Sequence, residues 1–238
     1  MAGHSKWKQI KHKKALLDAK RGKLFTKLIK EMTIAARAGG GDPNTNPRLR
    51  FLLDKGKAIN MPQENATRAI KKGTGELPGQ SYEAYMYEGY GPHQVAVIVD
   101  VLTDNKNKAI AELRHVFSRK SGHIAANGAV SWLFEKQGVI ETEETSVPED
   151  TLIELLLDYP VKDISYQDKK YEITCDPKSL EHVKTVLINA GIKIAEAELA
   201  WVAPNTLQLT GEQEAQAIEF LEELEDLEDV QHVYTNLA

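Results

Sequence analysis

Between Gly138 and Ala200 six short segments follow one another in an order that few folds accept. GVIETEE reads as a strand, EDTLIELLLD as a helix, VKDISYQ and KYEITCD as strands, SLEHVKTVLINAG as a helix and IKIAEAELA as a strand. The order βαββαβ is that of the ferredoxin-like split βαβ arrangement, whose two crossover helices cover one face of an antiparallel sheet. Upstream, YEAYMYEGYG and HQVAVIVDVLTDN predict strands, KAIAELRHVFSRK a helix and GAVSWLF another strand. Downstream, TLQLT, EQEAQAIEFLEELEDL and VQHVYTN predict a strand, a helix and a strand. That tail is too short to bury a core alone. It is expected to return to the upstream segment, so that 77–133 plus 204–238 form a discontinuous α+β domain with residues 134–203 inserted as the ferredoxin-like one.

The first 76 residues have a different pattern. From Ala19 to Ala38, Leu24, Phe25, Leu28, Ile29, Met32, Ala35 and Ala36 recur at helical spacing, and Lys20, Lys23, Lys27, Lys30 and Arg37 collect on the opposite side. GGGDPNTNP is a loop in which Asn46-Pro47 reads as a cap followed by Pro at the first helical position. RLRFLLDKGKAI then buries Leu49, Leu52, Leu53 and Ile59. A third helix, PQENATRAIKK, has Glu64 in its first turn, Lys71 and Lys72 in its last, and Gly73 as its stop. The expected fold class is α+β in three domains: a basic helical domain over 1–76 and the two α+β domains.

Charge divides along the same boundary. Residues 1–76 carry eighteen Lys and Arg against six Asp and Glu, a balance of +12, whereas the whole chain of 238 residues is at −5, leaving −17 for 77–238. A basic part joined to an acidic remainder implies an anionic partner for the former and solubility from the latter. Lys6, Lys8, Lys11, Lys13 and Lys14 precede the first helix with almost no acid to pair with, and their mutual repulsion does nothing for folding. A phosphate backbone would relieve it by releasing counterions. Trp7 and His12 stand among them as candidates for base stacking, which suits RNA or single strands, or for pinning the arm to the helical domain. The expected contact surface is Lys6, Trp7, Lys8, Lys11, His12, Lys13, Lys14, Lys20, Arg21, Lys23, Lys27 and Lys30. Arg48 and Arg50 extend it, and RHVFSRKSGH adds Arg114, His115, Arg119, Lys120 and His123 as a second cationic spot.

Other chemistries find little support. The seven histidines show no HxxxH or HxH spacing and no cysteine partner, so no metal site is expected. Cys175, the single cysteine, excludes an internal disulfide and suits a reducing cytoplasm as a small buried side chain. YEGYGPHQ, read as a hairpin turn whose glycines take positive φ, lacks the spacing of a P-loop or dinucleotide fingerprint, so no nucleotide cofactor follows. GxSxG is absent. Residues 212–229 hold nine Asp and Glu and no Lys or Arg; they read as the solvated side of an amphipathic helix, with holding the basic arm as a second use. No apolar run is long enough to span a membrane, and the basic leader is not followed by the apolar stretch of an export signal. The protein is expected to be cytoplasmic, with no membrane contact, cofactor or small-molecule substrate.

AGHSKWKQIKHKKALLDAKRGKLFTKL, GGGDPNTNPRLR, NMPQENATRAIKKG, YEGYGP and LTDNKNKAIAELRHVF resemble signature segments of the YebC-like family, which includes the mitochondrial translational activator of cytochrome c oxidase. The resemblance covers nearly the whole chain and is most specific over the first 76 residues. It implies three domains around a cleft, a cytoplasmic protein of bacterial type, and a transcriptional regulator that binds DNA; other members act on translation at the ribosome. Two segments depart from it. His93-Gln94 stand where members usually show Gly-Gly, and SGHIAANGA stands where they carry a GGxLG segment. The expectation is a non-enzymatic, DNA-binding regulator of transcription. The alternative is a translation factor that binds the ribosome or RNA, favoured by the lack of a base-reading helix with Asn, Gln or Arg at reading positions.

Overall fold

The computed structural model describes residues 18–79 and 81–238. Its helical domain holds α1 (Asp18–Gly39), α2 (Pro47–Ala58) and α3 (Gln63–Thr74). Leu28, Met32, Ala35 and Ala36 of α1 pack against Leu49, Leu52, Ala66 and Ala69. Asn46 fixes the corner between α1 and α2. Its Oδ1 accepts from Leu49 N at 3.1 Å, while its Nδ2 donates to the carbonyls of Ala35 and Gly40 at 2.9 and 2.8 Å. The third helix passes through the stop expected at Gly73 and ends at Gly75, whose φ of 84° is left-handed. Gly73 instead serves helix packing: a Cβ there would lie 2.4 Å from the Thr33 carbonyl oxygen and 2.7 Å from the Ala36 Cβ on α1.

In the middle domain β1 (Glu83–Tyr90), β2 (Ala96–Thr103), β3 (His123–Ile124) and β8 (Val230–Thr235) form an antiparallel sheet in the order β3-β1-β2-β8. Two helices, α4 (Lys106–Arg119) and α7 (Glu212–Glu225), cover one face with Leu113, Phe117, Phe220, Leu221 and Leu224. The other face joins the inserted domain through Ala96, Ile98, Val130, Phe134 and Ala203. Covered on both sides, β2 is apolar almost throughout instead of alternating.

Three expectations need correction here. GAVSWLF is not a strand: it is a loop with a 3₁₀ turn at Ser131–Leu133, because its amides are taken by a side chain on β1, described below. TLQLT forms only an isolated bridge between Leu207 and Leu237. In YEGYGPHQ the positive φ angles belong to His93 (55°) and Gln94 (64°), while Gly91 has φ −83°. Gly89 and Gly91 answer to space instead: a Cβ would meet Phe117 at 2.5 Å and Phe220 at 2.3 Å respectively.

The inserted domain contains β4 (Glu135–Thr142), α5 (Glu149–Leu156), β5 (Val161–Gln167), β6 (Lys170–Cys175), α6 (Leu180–Asn189) and β7 (Ile194–Val202). The antiparallel strand order β5-β6-β4-β7 is the ferredoxin-like one. Ile140, Leu152, Tyr171, Ile173, Val183 and Leu187 build its core with Cys175. The cysteine is fully buried, and burial pushes its thiol up to about 11, which leaves it protonated and inert at neutral pH.

Candidate nucleic-acid interface

Lys6, Trp7, Lys8, Lys11, His12, Lys13 and Lys14 lie outside the described residues, as do the side chains of Lys20 and Arg21, whose backbone belongs to α1. Lys23, Lys27 and Lys30 are described, and all three face one corner of the middle domain. The Lys23 ammonium is 3.6 Å from Asp226 Oδ2, and both side chains are half exposed. One turn on, Lys27 donates to the Glu225 carbonyl at 2.7 Å. A turn further, Lys30 donates to Asp229 Oδ1 at 2.5 Å and to the Glu228 carbonyl at 3.2 Å, and is only 4% exposed. The corner is the C-terminal end of α7, where unpaired carbonyls and the helix dipole concentrate negative charge. Asp229 is held from behind by the Thr103 hydroxyl, which donates to Oδ2 at 2.9 Å.

Lys27 and Lys30 therefore depart from the expected free cationic face. Helical periodicity correctly puts them opposite the core of their own domain, but a second domain packs there. Of the residues that extended the surface, Arg48 and Arg50 are exposed in the first turns of α2. Among the described residues neither has a carboxylate within ion-pair distance.

The second cationic spot divides in two. Arg119 pairs with Glu223 at 2.5 Å, and Lys120 reaches Glu219 and Glu223 at 2.9 and 3.2 Å, joining α4 to α7. Burial alone would raise the Glu223 carboxyl, but those two cations outweigh it and hold it below 4.5. These acids thus brace the middle domain rather than only solvating it. Arg114 and His115 are exposed, and His123 places its ring 5.7 Å from that of Tyr90.

Two polar devices were missed in the sequence. Glu88, 2% exposed in β1, accepts from the amides of Gly128 (2.8 Å), Val130 (2.6 Å) and Ser131 (2.8 Å). Burial would raise its carboxyl, yet these bonds outweigh it and the net shift is downward. Glu88 thereby links two signature segments, YEGYGP and the loop where SGHIAANGA stands. Lys55 of α2 pairs with Glu196 of β7, so the helical domain also touches the inserted one. Burial alone would lower the Lys55 ammonium, but Glu196 raises it further. Glu31 is raised above the usual carboxylate range chiefly by burial in the same region. Single acids in strands carry no pattern that would have marked either device.

Among the described residues no three His, Cys, Asp or Glu are grouped so as to hold a metal, and no helix is long and apolar enough to cross a membrane.

Comparison with known proteins agrees with this architecture. The model of the TACO1/YebC protein N-terminal domain matches residues 5–76, and that of the TACO1/YebC second and third domain matches residues 82–237. A protein of Desulfosudis oleivorans named "Probable transcriptional regulatory protein" is 49% identical over 238 residues, covering all of this chain and 97% of the relative. One of the same name from Persephonella marina is 50% identical over 238 residues, covering 99% and 95%. The crystal structure of a conserved hypothetical protein from Aquifex aeolicus superposes with a TM-score of 0.87 at 44% identity, over 98% of this chain and 97% of that one. With both family models matched end to end and the three-domain architecture shared, the chain belongs to the TACO1/YebC family.

Proposed function

We propose that the chain is a cytoplasmic, non-enzymatic regulator of gene expression that binds nucleic acid through its basic leader and the first turns of α1. The charge division carries the reading: +12 over residues 1–76 in a chain at −5. Lys6, Lys8, Lys11, Lys13, Lys14, Lys20, Arg21 and Lys23 would contact phosphates, with Trp7 and His12 beside them for bases. Lys27 and Lys30 would anchor the helix to the middle domain, since each already has protein partners. The relatives' names favour DNA and transcription. In that case a preferred promoter fragment stays bound at physiological salt against excess random duplex, and indiscriminate loss counts against it.

One observation favours a second reading, RNA and translation. The middle of α1, around Lys27 to Lys30, is packed between its own domain and the 225–229 corner. A helix so enclosed is poorly placed to enter a major groove, which supports recognition of backbone and shape over base edges. This reading predicts co-sedimentation with ribosomes, lost when Lys11, Lys13 and Lys14 are changed to Glu.

A further inference from the structure

The α4 helix distributes its cations unevenly. Lys108 reaches Glu112 at 3.8 Å, and Arg119 and Lys120 pair with α7. Lys106 and Arg114 have no carboxylate within ion-pair distance among the described residues. Both instead line one cavity of about 460 Å³ between α4 and the β1–β3 edge. They are eight residues apart, about 12 Å along the helix axis, which is long for a single inorganic anion to satisfy both.

Between the two cations the wall is aromatic and apolar. The Lys106 ammonium stands 4.8 Å from the centroid of the Tyr85 ring, and Ile110 lies one turn further along. Tyr87 contributes a second ring. Its hydroxyl is buried and has no hydrogen-bond partner among the described residues, so a donor at this wall is left without an acceptor. The facing wall is Ala125 to Asn127, in the loop that Glu88 fixes: its carbonyl accepts from Ala125 N at 2.8 Å and its carboxylate from Gly128 N. The loop wall is thus tied to β1 by hydrogen bonds.

Cations at both ends, flat rings between them and an amide side chain at the rim match a ligand with an anionic end and a planar middle. We propose that the cavity between Tyr85, Tyr87, Lys106, Arg114 and Asn127 is a nucleotide-binding site, with the phosphate on Arg114 and the base against the tyrosines beside Lys106. The ligand is a nucleoside monophosphate unit, either free or as one residue of a single strand. This rests on the nucleic-acid reading only for the second source.

The test is equilibrium dialysis of the full-length protein against labelled AMP, inorganic phosphate and a ten-nucleotide single-stranded RNA. AMP is expected to bind, with R114A and K106A each weakening it at least tenfold. Tyr87→Phe should weaken AMP while raising thermal stability, because it removes a buried hydroxyl without a partner; a purely structural role would give the stability gain alone. RNA bound at least tenfold more tightly than AMP, with crosslinks at residues 85–87, identifies a strand as the source, and the reverse ranking identifies a free nucleotide. Phosphate bound as tightly as AMP, or AMP binding indifferent to Arg114, overturns the proposal. A leader variant with Lys11, Lys13 and Lys14 changed to Glu should leave AMP binding intact. Loss of duplex or ribosome binding in that variant therefore speaks to the leader alone, and absence of AMP binding in the wild type speaks to the cavity alone.

Discussion

The Glu88 carboxylate takes three amides of one loop from inside β1, where no solvent can replace it. In Glu88→Gln the amide oxygen can keep part of that set, but its NH₂ group faces donors. Loss of the charge-assisted bonds should cost about 2–4 kcal/mol in urea denaturation. The pH sign follows from a folded carboxyl held below its ordinary value of 4.5. The contribution is complete above that unfolded value and is lost as pH falls through the lower folded one, so the gap between wild type and variant should close under acid. A gap independent of pH would refute the ionised role. Lys30 and Lys23 offer a second contrast at this scale. Removing Lys30 leaves Asp229 buried and uncompensated, so Lys30→Ala should cost about 3–5 kcal/mol. The half-exposed Lys23 pair should contribute about 0–1 kcal/mol.

At the scale of elements, strongly periodic segments were legible and segments governed by a distant side chain were not. The six elements of the inserted domain and the three helices follow from local period and caps, as at Asn46-Pro47. GAVSWLF has the composition of a strand, but its amides bond to Glu88, some forty residues earlier in the chain. TLQLT alternates like a strand, yet makes only the bridge at Leu207. Gly73 looked like a stop signal because a glycine needed for close packing and one needed for positive φ are the same letter. Ala at 73 gains helix propensity of about 1 kcal/mol. It must also push the Thr33 carbonyl aside, and overpacking of about 1–3 kcal/mol should make Gly73→Ala destabilising overall. Position 94 runs the other way. Gln94 holds a left-handed φ of 64°, which glycine adopts without strain, so Gln94→Gly should stabilise by about 0.5–1 kcal/mol. Thermal melts of both variants check the pair.

Across the whole molecule, the acidic residues near the end of the chain do not merely balance the basic ones at its start; they decide which cations stay available. The corner at Glu225, Asp226, Glu228 and Asp229 takes up the later lysines of α1, and Glu219 and Glu223 take up Arg119 and Lys120. The sequence showed the charge division, with holding the basic arm only as a second use of the acidic helix; it did not show which cations pair, because the lysines of α1 lie about 200 positions from their partners in another domain, and Arg119 and Lys120 about 100 from theirs. If the leader binds phosphates, log affinity should fall linearly with log salt, with a slope of about −0.9 for each phosphate contacted on duplex DNA. Reversing Lys11, Lys13 and Lys14 should reduce that slope by about three contacts' worth. Lys30→Gln should lower stability yet leave the slope unchanged, because its charge is already neutralised inside the protein. Fluorescence anisotropy titrations between 50 and 200 mM salt separate the two. A slope reduced by one contact in Lys30→Gln would mean that α1 leaves the Asp229 corner when nucleic acid binds, and that Lys27 and Lys30 act on the ligand together with the leader.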